Sequence, residues 1–382
     1  MSSELAADYK LVEVDAWPIT TLGVHCVVFQ TTTNQPVNLL IQQLSHDKRV
    51  ESVQRMYRFH VLGDPYFRLQ QGLHLMRIDE AHHWATGRDV TVAIIDTGAD
   101  IDHPDLKGQI TEHEDLVADK SSNFVDDLHG TAVAGVIAAI ADNDEGIVGI
   151  APDTKLIVLK ACWQETIDTP MAVCNSLTLA KALDRAIVLT PDVLNLSLTG
   201  PLDPLLVRLV HEAMKDGIVI VGSDPGSAYH LDHEFPTSIA GVIPVRTGDT
   251  PARPAHHKID ASQIYAPGKD VLTTFPHGDY NFLSGSSLAA AHVSGVVALL
   301  LELKPALSAG GIAKILRPVG NNAEPVLVNA CVAISKVHHS VRCGTAVRPR
   351  VIPEMLRADS KTFSTQIAKT KTTSGAFLRR RF

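Results

Sequence analysis

The chain has 382 residues, 45% of them hydrophobic and 20% charged, with a formal net charge of −8. That length accommodates one large α/β domain beside a smaller one, and the composition is that of a globular protein. The negative balance argues against nucleic acid as a partner, and the sequence shows no run approaching the roughly 18 apolar residues of a membrane span.

Residues 1–21 lack a basic stretch ahead of an apolar core and so do not read as a secretory signal. A small α+β unit is expected over 22–65. It has a strand at Val24–Phe29, helical spacing through Val37, Leu40, Ile41 and Leu44, and a strand with a turn from Val50 to Leu62. Gly63-Asp64-Pro65 closes it.

Over 66–340, apolar strand candidates alternate with helical ones. The strands are Val90–Ile95, Leu156–Leu159, Val193–Leu198, Ile218–Val221 and Ile239–Val245. The helices are Gly130–Ala141, Asn175–Leu189, Pro204–Asp216, Leu288–Leu303 and Ser308–Leu316. Continuous Val/Ile runs between helices predict a parallel sheet covered on both faces. From 341 to 382 the apolar period fades into a basic tail expected to be irregular. Five scattered cysteines without metal-ligand spacing read as free thiols. With no visible signal this favours the cytoplasm, while leaderless or alternative export stays open.

Three motifs carry chemistry. Val92-Ala93-Ile94-Ile95-Asp96-Thr97-Gly98 is a strand ending in a carboxylate, at the kind of strand end where α/β sites assemble. Asp127-Leu128-His129-Gly130-Thr131 starts a helix of small residues with a histidine. Gly285-Ser286-Ser287 delivers a serine to the first turn of a long apolar helix, beside unpaired N–H groups and the positive dipole end. Taken singly, each has an ordinary structural role: turn aspartate, packed histidine, N-cap serine. Together, the order Asp, His, Ser is one of the convergent orders of a nucleophilic triad. It is the wrong order for an α/β-hydrolase esterase, and no G-x-S-x-G elbow surrounds Ser287.

These blocks, with Ala134-Gly135, His292-Val293, Val193-Leu194-Asn195-Leu196-Ser197-Leu198 and Tyr265-Ala266-Pro267-Gly268, resemble the signature segments of the subtilisin-like serine peptidases over roughly 66–335. The resemblance implies a three-layer fold around a mostly parallel sheet, and a serine endopeptidase acting on polypeptides with Ser287 as nucleophile, His129 as base and Asp96 as its orienting acid. It implies no cofactor for the chemistry and leaves structural calcium open; His230-Leu231-Asp232-His233-Glu234 reads as a surface loop. It implies that residues 22–65 are an inhibitory propeptide of a self-processing zymogen. Tyr57–Leu62 would then lie in the cleft and cleavage would fall around His60–Tyr66.

The resemblance also supplies the rest of the site. The oxyanion would be held by the Ser287 backbone N–H and by an asparagine, whose place is taken here by Asp224. An ionised aspartate only accepts hydrogen bonds, and losing that donor costs about 10²–10³ in rate. Some kexin-like members of the family also carry Asp there. Three outcomes stay open: a protonated Asp224 and an acid-shifted optimum, a substitute donor from Ser223 or water, or an impaired pseudopeptidase that only binds peptides. Ser197, Leu198, Thr199 and Gly200, with Val221, Gly222 and Ser223, would wall the primary pocket. Thr199 and Ser223 stand where glycine is usual, which predicts small or medium P1 residues. His292 reads as a packed structural residue.

Overall fold

The computed structural model describes residues 2–21, 23–32, 36–55, 63–117, 123–164, 172–225, 234–248, 263–317 and 326–344. The chain divides into two compact units, Met1–Val61 and Leu62–Phe382. The expected self-cleavage region around His60, the His230–His233 loop and the tail beyond Gly344 lie outside the described residues, wholly or in most part.

In the first unit α1 (Ser2–Tyr9) leads into β1 (Leu11–Ile19), which pairs antiparallel with β2 (Val24–Thr31) with a register shift between Glu13 and Asp15, before α2 (Val37–Ser45). The segment 1–21, set apart from 22–65 in the sequence, therefore contributes a helix and a strand to the same unit. Leu40 and Leu44, one turn apart on α2, meet Leu5 and Leu11 in a small core. Residues 50–55, where a strand was expected, have no regular structure.

The second unit begins with the short helices α3 (Gln71–Met76) and α4 (Ile78–Ala81). It then alternates β3 (Thr91–Asp96), β4 (Ile110–Asp115), α5 (Leu128–Ala138), β5 (Lys155–Lys160), the hairpin β6 (Cys162–Gln164) and β7 (Ala172–Cys174), α6 (Ser176–Leu189) and β8 (Val193–Leu196). There follow β9 (Gly200–Pro201), α7 (Pro204–Lys215), β10 (Val219–Ser223), β11 (Glu234–Phe235), β12 (Ile243–Thr247) and β13 (Ile264–Ala266). The hairpin β14 (Val271–Phe275) and β15 (Asp279–Leu283) precedes α8 (Ser286–Leu303), α9 (Ala309–Leu316) and α10 (Ala330–Ser335).

Seven strands form one parallel sheet in the order β13-β12-β10-β8-β3-β5-β4. Side chains alternate along each strand. Val92, Ile94, Leu156, Val158, Val219 and Val221 therefore join α5 and α8 in one core, while Ala93, Ile95, Ile157, Leu159, Leu194 and Ile220 join α6 and α7 in the other. This is the expected three-layer arrangement. The helices begin where local chemistry dictates: Asn175 and Thr178 form a capping box on α6, and Asp203 caps α7 ahead of Pro204.

Two sheet strands escaped the apolar-run reading. β4, Ile-Thr-Glu-His-Glu-Asp, is an acidic edge strand with little buried surface, a composition that blunts an open edge. β13 is only three residues long. α8 also corrects the membrane reading, since its 18 residues are apolar enough to cross a bilayer. It is instead the central core helix, buried from Leu288 to Leu301.

The free-thiol expectation is overturned. Cys162 bonds Cys174 across the β6–β7 hairpin, Cys331 bonds Cys343, and Cys26 alone is free. Pairing of the first two follows from the register, which sets them opposite each other, and no apolar pattern along the chain encodes it.

Candidate active site

The chain leaves β3 to build β4 and β5 on one side, then crosses to build β8, β10, β12 and β13 on the other. The sheet thus reverses its order at β3, and a crevice opens beyond the carboxyl ends of strands at such a switch point. Asp96 is the last residue of β3, Ser197 follows β8, and Ser223 ends β10.

His129 and Ser287 are each the second residue of their helices, α5 and α8, which pack on each other in the same core. The strand end and the α5 start touch through glycine. A Cβ on Gly130 would sit 2.3 Å from the Gly98 carbonyl oxygen, and one on Gly98 would sit 2.2 Å from that of Phe124. The Gly130 N–H donates to Thr97 Oγ1 at 2.9 Å. Hydroxyls of β14 grip the helix from the other side, Thr273 on the Ala132 carbonyl and Thr274 on that of Thr131.

This brings His129 Nδ1 within 2.7 Å of Asp96 Oδ1, with Asp96 buried. Burial of His129 works against its charged form, but the charge of Asp96 and the hydrogen bond to it outweigh that and raise the pKa above the ordinary imidazole value. Such an upward shift moves the working range of a His base toward higher pH, opposite to the acid-shifted optimum expected from Asp224. Asp127, which precedes the helix, accepts from the Gly98 N–H at 2.9 Å and from Lys160 Nζ.

The Ser287 hydroxyl donates to the Ser197 carbonyl at 3.1 Å, and in this rotamer it does not bond His129. Ser197 Oγ in turn donates to the Ser287 carbonyl at 3.0 Å and accepts from Asn195 Nδ2 at 2.9 Å. Ser294, seven residues along α8, donates to Asn195 Oδ1 at 2.9 Å. The N–H of Gly285 donates to the Gly268 carbonyl at 2.7 Å, an approach that a side chain on Gly268 would obstruct. Neither Asn195 nor Ser294 was singled out from sequence. The signal was there, as a polar residue in the otherwise apolar run Val193–Leu196 needs a buried partner.

The chain matches the model of the subtilase family over residues 87–318. It is a subtilase. It is 32% identical over 247 residues to the major intracellular serine protease of Bacillus subtilis, covering 61% of this chain and 75% of that one. It is also 32% identical over 258 residues to subtilisin DY of Bacillus licheniformis, covering 66% and 91%. The structure resembles fervidolysin of Fervidobacterium pennivorans, a keratinolytic enzyme related to subtilisin, with a TM-score of 0.60 at 25% identity over 71% of this chain and 46% of that one. The protein is accordingly a serine-type endopeptidase with the subtilisin-like fold.

Within this subtilase, Val221 and Gly222 are buried in β10, and a Cβ on Gly222 would meet Pro236 at 2.9 Å. Gly200 pairs with Phe235, Leu198 packs into the α6–α7 core, and Thr199 Oγ1 is buried with no hydrogen-bond partner among the described residues. Ser223 donates to Ser286 Oγ at 2.7 Å. Asp224 accepts from Arg246 Nε at 2.9 Å. His292 is buried, its Nδ1 bonded to the Leu288 carbonyl one turn back.

Subtilases need no cofactor for catalysis, although calcium is common among them. Among the described residues, the one group of three or more His, Cys, Asp or Glu ligand atoms close together is Glu80 with Cys331 and Cys343. Asp64 accepts from the N–H groups of Asp142 and Asn143, and Asp105 from Asn143 Nδ2 and the Ile147 N–H. These carboxylates face donors where a cation would need bare oxygens. Glu80 lies near Cys331 and Cys343, but the disulfide leaves no thiolate there.

Proposed function

We propose that Asp96, His129 and Ser287 act as one catalytic triad that hydrolyses peptide bonds through an acyl-enzyme. The observation that carries this reading is the 2.7 Å bond from Asp96 to His129, on a helix packed against the one that begins with Ser287. Ser287 Oγ attacks the scissile carbonyl while His129 Nε2 takes its proton and later returns it to the leaving amine. Asp96 holds Nδ1 protonated and stabilises the imidazolium. The Ser287 backbone N–H, at a helix start with no intrahelical acceptor, supplies one oxyanion contact.

The substrate is a polypeptide. Thr199 and Ser223 narrow the primary pocket lined by Ser197, Leu198, Gly200, Val221 and Gly222, which favours small or medium P1 residues. The first unit acts as an inhibitory propeptide that the enzyme itself removes. Its size, its α+β make-up and its position ahead of the peptidase unit support this reading. Two disulfides remove the cysteine argument for the cytoplasm and favour action in an oxidising compartment.

A fluorophosphonate probe tests the triad. Ser287 of the wild type is expected to be labelled and Ser287→Ala to lose peptidase activity. An unlabelled, inactive wild type would instead make the protein a peptide-binding pseudopeptidase. Intact-mass measurement of both forms tests self-processing, with an N-terminal fragment released only by the wild type.

A further inference from the structure

Asp224, which the resemblance sets at the oxyanion position, follows Ser223, whose hydroxyl donates to Ser286 beside Ser287, and it has a partner from the neighbouring strand. β10 and β12 run parallel with Ser223 opposite Val245, and the Asp224 N–H donates to the Val245 carbonyl at 2.8 Å. This fixes the Asp224 main chain beside the next residue of β12, Arg246, whose Nε donates to Asp224 Oδ2 at 2.9 Å. The two side chains are unequally placed, 11% exposed for Asp224 and 40% for Arg246. The carboxylate is thus the more desolvated member of the pair, and the guanidinium is the more exposed one.

We propose that Arg246 is a positioning residue for peptide-bond hydrolysis, acting by cancelling the charge of Asp224 and holding its carboxylate in place. The proposal rests on the triad reading above. When Ser287 Oγ bonds to the scissile carbon, the carbonyl π pair moves onto oxygen and the serine proton passes to His129. Negative charge therefore appears where the family keeps a donor. A bare carboxylate at that place repels the oxyanion, whereas a carboxylate paired with a guanidinium presents little net charge. Arginine suits the task because it stays charged and its planar fork grips a carboxylate with defined geometry. The pairing accounts for aspartate at this position without recruiting Ser223, whose hydroxyl donates to Ser286. A bystander ion pair at the rim would contribute little to anything, so the two interpretations differ in what they predict for the rate.

The test is a double-mutant cycle on a neutral chromogenic peptide, with folding checked by thermal melting. Arg246→Gln is expected to lower kcat about 100-fold, the scale of a lost oxyanion contact, with KM changed less than about threefold. Asp224→Asn, which restores a donor at this position, is expected to exceed the wild type in kcat. Asp224→Asn/Arg246→Gln is expected to stay within about threefold of Asp224→Asn, since no charge remains to cancel. Equal losses in both backgrounds, or no loss in the Asp224 background, would overturn the proposal. Should Arg246→Gln fail to fold, Arg246→Lys carries the test: retained charge predicts kcat within about tenfold of wild type, and a loss beyond about 100-fold overturns it. Failure of the triad reading is separately visible as activity retained in Ser287→Ala or as no fluorophosphonate labelling of the wild type.

Discussion

Asp127, two residues ahead of His129, forms an ion pair with Lys160 at the end of β5, both side chains fully buried. The same carboxylate accepts from the Gly98 N–H, so one charge ties the end of β3, the start of α5 and the end of β5 together. Burial pushes the Asp127 pKa up while Lys160 pulls it down, and the net direction is upward. Breaking such a pair leaves an uncompensated charge in the core. Asp127→Asn is expected to destabilise the fold by about 3–5 kcal/mol, and adding Lys160→Met to recover part of that. Denaturant unfolding of the single and double variants measures both.

The pH profile follows from Asp96 and His129. A general base must be neutral to act, and the pKa of His129 is raised, so its neutral form appears only at higher pH. The acid limb of kcat/KM, which reports the free enzyme, is expected above the ordinary imidazole range. Asp96→Asn removes the charge that raises it. That variant is expected to shift the limb to lower pH and to cut kcat by about 10⁴. Stopped assays across pH test the sign.

Asn195 supports Ser287, the proposed nucleophile, indirectly. Asn195→Ala strands the buried hydroxyl of Ser294 and frees Ser197, which bonds the Ser287 main chain. The expected cost is about 1–3 kcal/mol in stability, with kcat falling more than KM rises. Chemical denaturation and steady-state kinetics on the same preparation separate the two effects.

Gly130→Ala tests the contact between motifs. The new Cβ overlaps the Gly98 carbonyl oxygen, so α5 must move away from β3 and stretch the bond from His129 to Asp96. A loss of about 1–3 kcal/mol is expected, together with a drop in kcat. Calorimetry with a peptide assay checks it.

The disulfides predict a thiol count and a melting shift. Under denaturing conditions without reductant one thiol, Cys26, is expected to react. The joint Cys162→Ser, Cys174→Ser variant opens a loop of 12 residues' separation and is expected to lose about 3 kcal/mol. It also loosens Gln164, which accepts from the N–H of Leu128 beside His129, so activity should fall with stability.

Much of the fold was legible because burial on both faces forces continuous apolar strands. Val92–Ile95, Leu156–Leu159 and Val219–Val221 are apolar for that reason, and α8 is apolar on all sides because the core surrounds it. β4 was invisible because an edge strand needs no apolar run. The β1–β2 pairing was missed because β1 is exposed along most of its length and carries acids. The site was legible in part. Asp96, His129 and Ser287 sit at element ends flanked by small residues, and Gly98, Gly130 and Gly268 mark the places where backbone meets backbone.

The sequence alone marked the groups proposed to carry the chemistry, because the strand end, the helix start and the serine turn each write a local pattern. It also set Asp224 where the family resemblance expects the usual donor. Only the tertiary structure decided what faces those groups. Lys160 against Asp127, Asn195 against Ser294, Arg246 against Asp224 and the two disulfides all join residues separated in the chain. Their pairing depends on strand order and register, which turn on long-range packing and leave no periodic trace along the chain.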